Sequence, residues 1–210
     1  MPRLTEINKA LLNCNMKNAI RQGMLELLSG GNANHISIDM LADRLKVAKG
    51  TIYNYFPSKQ RIIDDALISV YNSISTEIEE TAARELAPDD KISAYCSVFF
   101  RHYDRYKAIY TAVIESDSHL PFRSPEQQIF INRCIELLEI ELIRGVRSGC
   151  FRPMPDPAAT ALVVFSTISG MIRLLLIDNR KGHDGDQCRS IFELVVLGAL
   201  RREPQQGDFL

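Results

Sequence analysis

Apolar side chains recur at steps of three and four along this chain and almost nowhere alternate in steps of two, a pattern that predicts packed helices and no sheet. Ile20, Met24, Leu27 and Leu28 mark a first helix. Ile38, Leu41, Ala42 and Leu45 then give a short second helix one apolar face. Ser37 stands just before it, where a hydroxyl caps free backbone N–H groups, and Asp39 lies in its first turn, where a carboxylate suits the helix dipole. Ala42 is small enough to let another helix cross closely, and Val47 tucks inward from the turn that follows. A third short helix is predicted from about Ala48 to Phe56, with Ile52 and Phe56 facing inward. Pro57 stops it, and Ser58 is placed to cap the next.

From about Ile62 onward the pattern is helical throughout. Ser58 to Glu85 is one long amphipathic run carrying Ile62, Ile63, Ala66, Leu67, Val70 and Ile74, broken at Pro88-Asp-Asp90. Further helices are predicted over about Lys91 to Ser116, Glu126 to Ser148, Ala158 to Ile177 and Asp186 to Arg202. Between them lie a Leu120-to-Pro125 loop, a proline-rich connector from Gly149 to Pro157 and a polar loop from Asp178 to Gly185. The expectation is an all-α chain with two domains. Residues 1–61 form a three-helix helix-turn-helix domain, the layout of a DNA-binding head, and residues 62–210 a larger helical domain.

The second and third helices leave Lys49, Gly50, Thr51, Tyr53, Asn54 and Tyr55 on an outer side, a crowding of basic, hydroxyl, amide and phenol groups suited to a major groove. The string Gly50-Thr-Ile-Tyr-Asn-Tyr-Phe-Pro-Ser-Lys59, preceded by the Leu45-Lys-Val-Ala turn, resembles the DNA-binding domain of the TetR family of transcriptional regulators. The resemblance covers about Ile20 to Ile63. It implies that Lys49, Gly50 and Thr51 approach bases and phosphates, with Asn54 as a further base reader. It also implies that Tyr53 and Tyr55 bond backbone phosphates, that Lys59 pairs with a phosphate, and that Ser37 both caps the second helix and touches one. Two positions depart from the family pattern: Ala48 stands where a capping Ser is usual, and Gly23 where Ala is usual.

Charge agrees with this division. The whole chain is nearly neutral at −1, but residues 1–61 hold 9 basic and 4 acidic side chains while residues 62–210 hold 16 and 22. A basic module on an acidic body places the attractive field where a duplex would dock.

Two features of the larger domain suggest further partners. Tyr95, Phe99, Tyr103, Tyr106 and Tyr110 recur along one predicted helical face, with Arg101, His102 and Arg105 beside it. The stripe reads either as ordinary core or as the wall of a pocket for an apolar or aromatic small molecule, the kind of effector the family resemblance implies. The helix from Ala158 to Ile177 is apolar on most of its circumference, so it must be covered on several sides. Leu162, Phe165, Gly170 and Leu174 on it, with Ile191, Leu194, Val195 and Gly198 on the last helix, are candidates for a homodimer interface, where the resembled family also pairs. Phe165 is a candidate for the pocket as well. The alternative is a helix buried in a monomer.

Other classes are set aside. The five cysteines lack a C-x-x-C pair, which suits a reducing compartment, and they read as small apolar groups rather than as a redox sensor. The four histidines are scattered, so neither a metal nor a cofactor is expected. No nucleophile–base pair, phosphate loop or metal-ligand spacing appears, so an enzyme is not expected. Thr160, Ser166, Thr167, Ser169 and Arg173 interrupt the longest apolar region, and the N-terminus lacks a signal pattern, so no membrane association and a cytoplasmic location are expected. Residues 1–15 read either as an arm reaching a minor groove or as an extension of the first helix. The function expected is a homodimeric DNA-binding regulator, a repressor released from a near-palindromic operator by a small-molecule effector.

Overall fold

The computed structural model describes residues 4–29, 36–115, 125–178 and 185–202. In chain order it contains α1 (Leu4–Ser29), α2 (Ile38–Leu45), α3 (Lys49–Tyr53), α4 (Lys59–Ala82), α5 (Pro88–Glu115), α6 (Pro125–Ser148), α7 (Pro157–Asp178) and α8 (Gly185–Phe192). A π-helical turn over Glu193–Leu197 then leads into α9 (Gly198–Leu200). An isolated antiparallel bridge pairs Phe151 with Arg201, and no strand occurs among the described residues. The all-helical expectation holds.

The departures fall at helix ends. Three prolines expected in breaks or loops, Pro88, Pro125 and Pro157, are instead the first residues of α5, α6 and α7. At that position the missing N–H is one the helix could not have bonded, and the ring fixes a helical φ. In α5, Asp89 and Asp90 then fill the first turn, where their charge suits the dipole. The other parts of the predicted loops, residues 120–124 and 179–184, lie outside the described residues.

Two compact units result. One gathers the chain up to Val70 with the segment from Tyr106, and the other gathers Tyr71–Arg105 with the chain from Pro125. Helix α4 runs uninterrupted past residue 61, and the units divide within it at Val70.

In the first unit, α1 packs on α2 and α2 on α3. Ile20, Met24, Leu28, Ile38, Leu41, Ala42, Ile52, Phe56, Ile62 and Ile63 are buried as expected, while Leu27, Leu45 and Val47, also expected to face inward, are half-buried. A Cβ on Gly23 would stand 2.9 Å from Leu41 Cδ1. The glycine thus weakens α1 by roughly 0.8–1 kcal/mol relative to alanine, yet lets α1 lie close on α2.

In the second unit, α7 packs on α6 and buries Ala161, Val164, Phe165 and Ile168. By length and mean hydropathy, 1.8 over Pro157–Leu176, α7 is long and apolar enough to cross a membrane. Its polar interruptions are too few to offset the Leu, Val and Ile around them. Its outward residues Leu162, Val163 and Leu174 are 52%, 63% and 66% exposed, so the uncovered face is itself apolar.

Candidate nucleic-acid interface

Local chemistry sets the geometry of α2 and α3. The Ser37 hydroxyl accepts a hydrogen bond from Met40 N at 3.1 Å, capping α2 as its spacing predicts. At the other end Lys46 takes the left-handed conformation (φ 54°), and its N–H and that of Val47 return to carbonyls of the last turn. That conformation turns the chain sharply into α3, and it favours glycine. The lysine there is strained, a feature the apolar pattern does not register.

Helix α3 is shorter than expected, but single backbone bonds carry the turn on through Asn54, Tyr55 and Phe56. Ile52 and Phe56 are buried and hold it down. Ala48 has an N-cap backbone and no side-chain cap, as the sequence implied. Ala48→Ser is therefore expected to stabilise the protein by about 1 kcal/mol, read as a higher urea midpoint with an unchanged slope. A midpoint that does not move would show that the free N–H groups are already satisfied.

The predicted contact residues are all at least partly exposed. Lys49, Gly50, Tyr53 and Asn54 are exposed, and Ser37, Thr51, Tyr55 and Lys59 are partly so. Lys59 opens α4, and the Ser58 hydroxyl accepts from Arg61 N at 3.2 Å. An ideal Cβ on Gly50 meets nothing within 4 Å. Nothing among the described residues requires a glycine there. Lys49 Nζ donates to Asp39 Oδ2 at 2.9 Å, and this bond raises the lysine's pKa. The cation stays charged, and Asp39 holds it in place.

Sequence reasoning missed the neighbours of this surface on α1. Tyr55 Oη donates to Asn13 Oδ1 at 3.4 Å, and Lys17 Nζ lies 5.9 Å from the centre of the Phe56 ring. The open question about the N-terminal segment resolves as a helical extension from Leu4 onward, with Met1 to Arg3 outside the described residues.

The aromatic stripe does not stay on one face. Tyr106 has non-helical backbone angles (φ −118°, ψ 18°) and kinks α5 there. Tyr106 and Tyr110 fall in the first unit, while Tyr95, Phe99 and Tyr103 are buried in the second. In that second unit Phe99 meets Phe165 edge-on at 5.9 Å and Phe130 at 6.1 Å, and Phe130 stacks on Tyr71 at 5.2 Å. Gln127 Nε2 donates to the Tyr71 phenol. Tyr71 and Phe130 belong to other helices, so periodicity within α5 could not reveal them. Burial pushes the phenols of Tyr71 and Tyr103 up to about 12. The Tyr95 phenol, raised by burial and by the nearby Glu141, is 2% exposed, and no hydrogen bond from the described residues satisfies its oxygen. Arg101 and His102, expected beside a pocket, both engage Glu77. Burial disfavours the Glu77 carboxylate, but hydrogen bonds from Arg101 and His102 hold its pKa below the ordinary value.

The interface candidates divide similarly. Leu162, Leu174, Ile191, Leu194 and Val195 are exposed, Gly170 has open space around it, and Phe165 faces the core. In the π-helical turn the half-buried Glu193 accepts from Ser93, while Leu194 and Val195 are 78% and 61% exposed. Cys96, Cys134 and Cys188 are buried, Cys150 is partly so and Cys14 is exposed. Burial pushes Cys134 up to about 12, so it is a packed thiol. Of the histidines only His102 lies among the described residues, where no cluster could hold a metal ion.

Comparison with known proteins agrees with this geometry. Residues 22–66 match the family model described as bacterial regulatory proteins, tetR family. A fatty acid metabolism regulator protein of Bacillus subtilis is 23% identical over 176 residues, covering 83% of this chain and 90% of the relative. Among solved structures, a TetR family transcriptional regulator from Thermus thermophilus superposes with a TM-score of 0.63 at 22% identity, covering 87% and 99% of the two chains. A transcriptional regulator from Bacillus subtilis, solved with stearoyl-CoA, gives 0.63 at 19% identity, covering 86% and 97%.

Proposed function

We propose, from the match of residues 22–66 to the model of tetR-family bacterial regulatory proteins, that this chain is a member of that family and acts as a homodimeric, cytoplasmic repressor of transcription. Each subunit sets one α3 in a major groove, the two half-sites lying roughly 34–36 Å apart on a near-palindromic operator. Lys59, Tyr53, Tyr55 and Ser37 bond phosphates and fix the register, and Lys49, Gly50, Thr51 and Asn54 face the bases.

The observation that carries this reading is Gly50. It sits in a short helix with empty space where its side chain would be. A residue that weakens its own helix and serves no internal contact is suited to the close approach of something outside. Gly50→Ala is therefore expected to act in opposite directions. Stability rises by about 0.5–1 kcal/mol, while operator affinity falls about tenfold, equal to about 1.4 kcal/mol. The operator is first selected from random duplex DNA, and binding and urea unfolding are then measured on wild type and variant. Affinity that holds or improves in the variant rejects the role given to this surface.

The second unit is the effector site in this reading. Phe99, Phe130 and Phe165 supply an apolar aromatic wall, and the Tyr95 phenol is a polar group awaiting a partner. The relatives named for fatty acid metabolism and for stearoyl-CoA make a long-chain acyl group the first candidate. The effector releases DNA by binding more tightly to a dimer whose heads no longer match the operator spacing. Saturating stearoyl-CoA that leaves operator affinity unchanged removes that candidate.

A further inference from the structure

We infer that the N-terminal extension of α1 is a second DNA-contacting element, in which Lys9, Asn13 and Lys17 bond the phosphate backbone flanking each half-site. The inference rests on the DNA-binding reading above and extends the docked surface beyond α3.

Helix α1 begins at Leu4, yet its first buried side chain among the described residues is Ile20. A helix rises 1.5 Å per residue, so about 24 Å of it precedes the core. The described side chains over residues 6–19 are exposed, except Met16, which is partly buried. The core of the first unit does not call for this length.

The orientation of the extension is set by its own periodicity. At 100° per residue, positions 9, 13 and 17 lie within about 80° of arc, and Ile20 falls inside that arc. The face that buries Ile20 against the head therefore continues outward carrying lysine, asparagine and lysine. Two contacts place this face beside the recognition surface. Asn13 receives the hydrogen bond of the Tyr55 phenol, and Lys17 lies over the ring of Phe56. Tyr55 is one of the residues proposed to hold a phosphate, its single O–H turning from Asn13 to the phosphate when DNA docks. Asn13 adjoins it, and Lys9 stands one further helical turn out, about 5.4 Å along the axis. Glu6 shares the arc beyond Lys9, so the cationic stretch ends there. A row of donors and cations continuing from a phosphate-binding phenol matches the polyanionic backbone of a duplex longer than the bases read by α3.

The test compares full-length wild type, Lys9→Ala, Lys17→Ala, Lys17→Arg and Lys59→Ala on the selected operator with long flanks. Operator affinity is measured across salt concentrations, together with hydroxyl-radical footprints. The logarithmic salt slope carries about 0.9 for each phosphate that a cation neutralises. In a two-fold dimer each substitution leaves two phosphates without their cation, so Lys9→Ala and Lys17→Ala should each reduce the slope by about 1.8. Protection at the outer flanks should weaken, and Lys17→Arg should restore the slope. Slopes and outer protection that stay at wild-type values in both alanine variants, while Lys59→Ala lowers its slope, overturn the extension alone. Wild-type protein without salt-sensitive binding overturns the DNA-binding reading and this inference with it.

Discussion

Glu141→Ala is expected to destabilise the protein by about 3–5 kcal/mol, read as a large drop in the urea midpoint at fixed protein concentration. The Lys91 and Glu141 side chains are each 5% exposed and lie 3.5 Å apart, Nζ to Oε1. Lys91 Nζ also donates to the carbonyl of Ala82, the last residue of α4, at 2.9 Å. Arg144 donates to the other Glu141 oxygen at 2.6 Å and to the Leu86 carbonyl at 3.2 Å. One carboxylate thus joins the end of α4, the start of α5 and the middle of α6. Removing it leaves the Lys91 ammonium buried without a counter-charge, and the desolvation penalty of that cation is the main loss. The double substitution Lys91→Met with Glu141→Met removes both charges while keeping volume, so its loss should be smaller than that of Glu141→Ala alone. A double variant as unstable as the single one would mean that packing, not charge compensation, governs this site.

This network also marks what the sequence could not disclose. Lys91 and Glu141 lie 50 positions apart, and nothing in the spacing of either predicts a partner. The helix-turn-helix was legible because its signals are local: Ser37 caps three residues on, Ile52 and Phe56 are one turn apart, and Pro57 stops the helix beside them. The aromatic stripe was legible only in part. Periodicity assumes an unbroken helix, and the single non-helical residue Tyr106 separates Tyr110 from Tyr95, Phe99 and Tyr103. Proline gave a true signal of helix boundaries at positions 88, 125 and 157, but it marked first turns, not breaks, since the same fixed φ serves both. The strained Lys46 was missed because its conformation answers to the angle between two helices, a tertiary demand.

Leu194→Glu combined with Val163→Glu is expected to leave a folded monomer and to lower operator affinity at least about 100-fold. Leu194 is 78% exposed and Val163 63%, and Leu162, Leu174, Ile191 and Val195 of the same unit are exposed as well. Single exposed apolar residues are ordinary, but six of them on two segments of one unit are candidates for an association surface. In a two-fold dimer each such residue meets the partner's copy of the same patch. A glutamate there is buried against the partner's apolar patch, so the desolvation of an unpaired charge adds to the reduced apolar burial. Because both residues are exposed in the subunit, the substitution leaves its interior intact, and helix content and the unfolding slope should stay near wild type. The fall in DNA affinity follows from geometry. Two heads held in one dimer bind the second half-site as an intramolecular event, and separate heads do not. Sedimentation equilibrium and operator titration decide the matter together. A double variant that remains dimeric places the pairing surface elsewhere. One that becomes monomeric yet keeps full operator affinity refutes the two-headed mode of binding. Wild-type protein that is monomeric and partitions onto lipid vesicles would show that the apolar face of α7 is covered by a bilayer, in line with its hydropathy, and not by a second subunit.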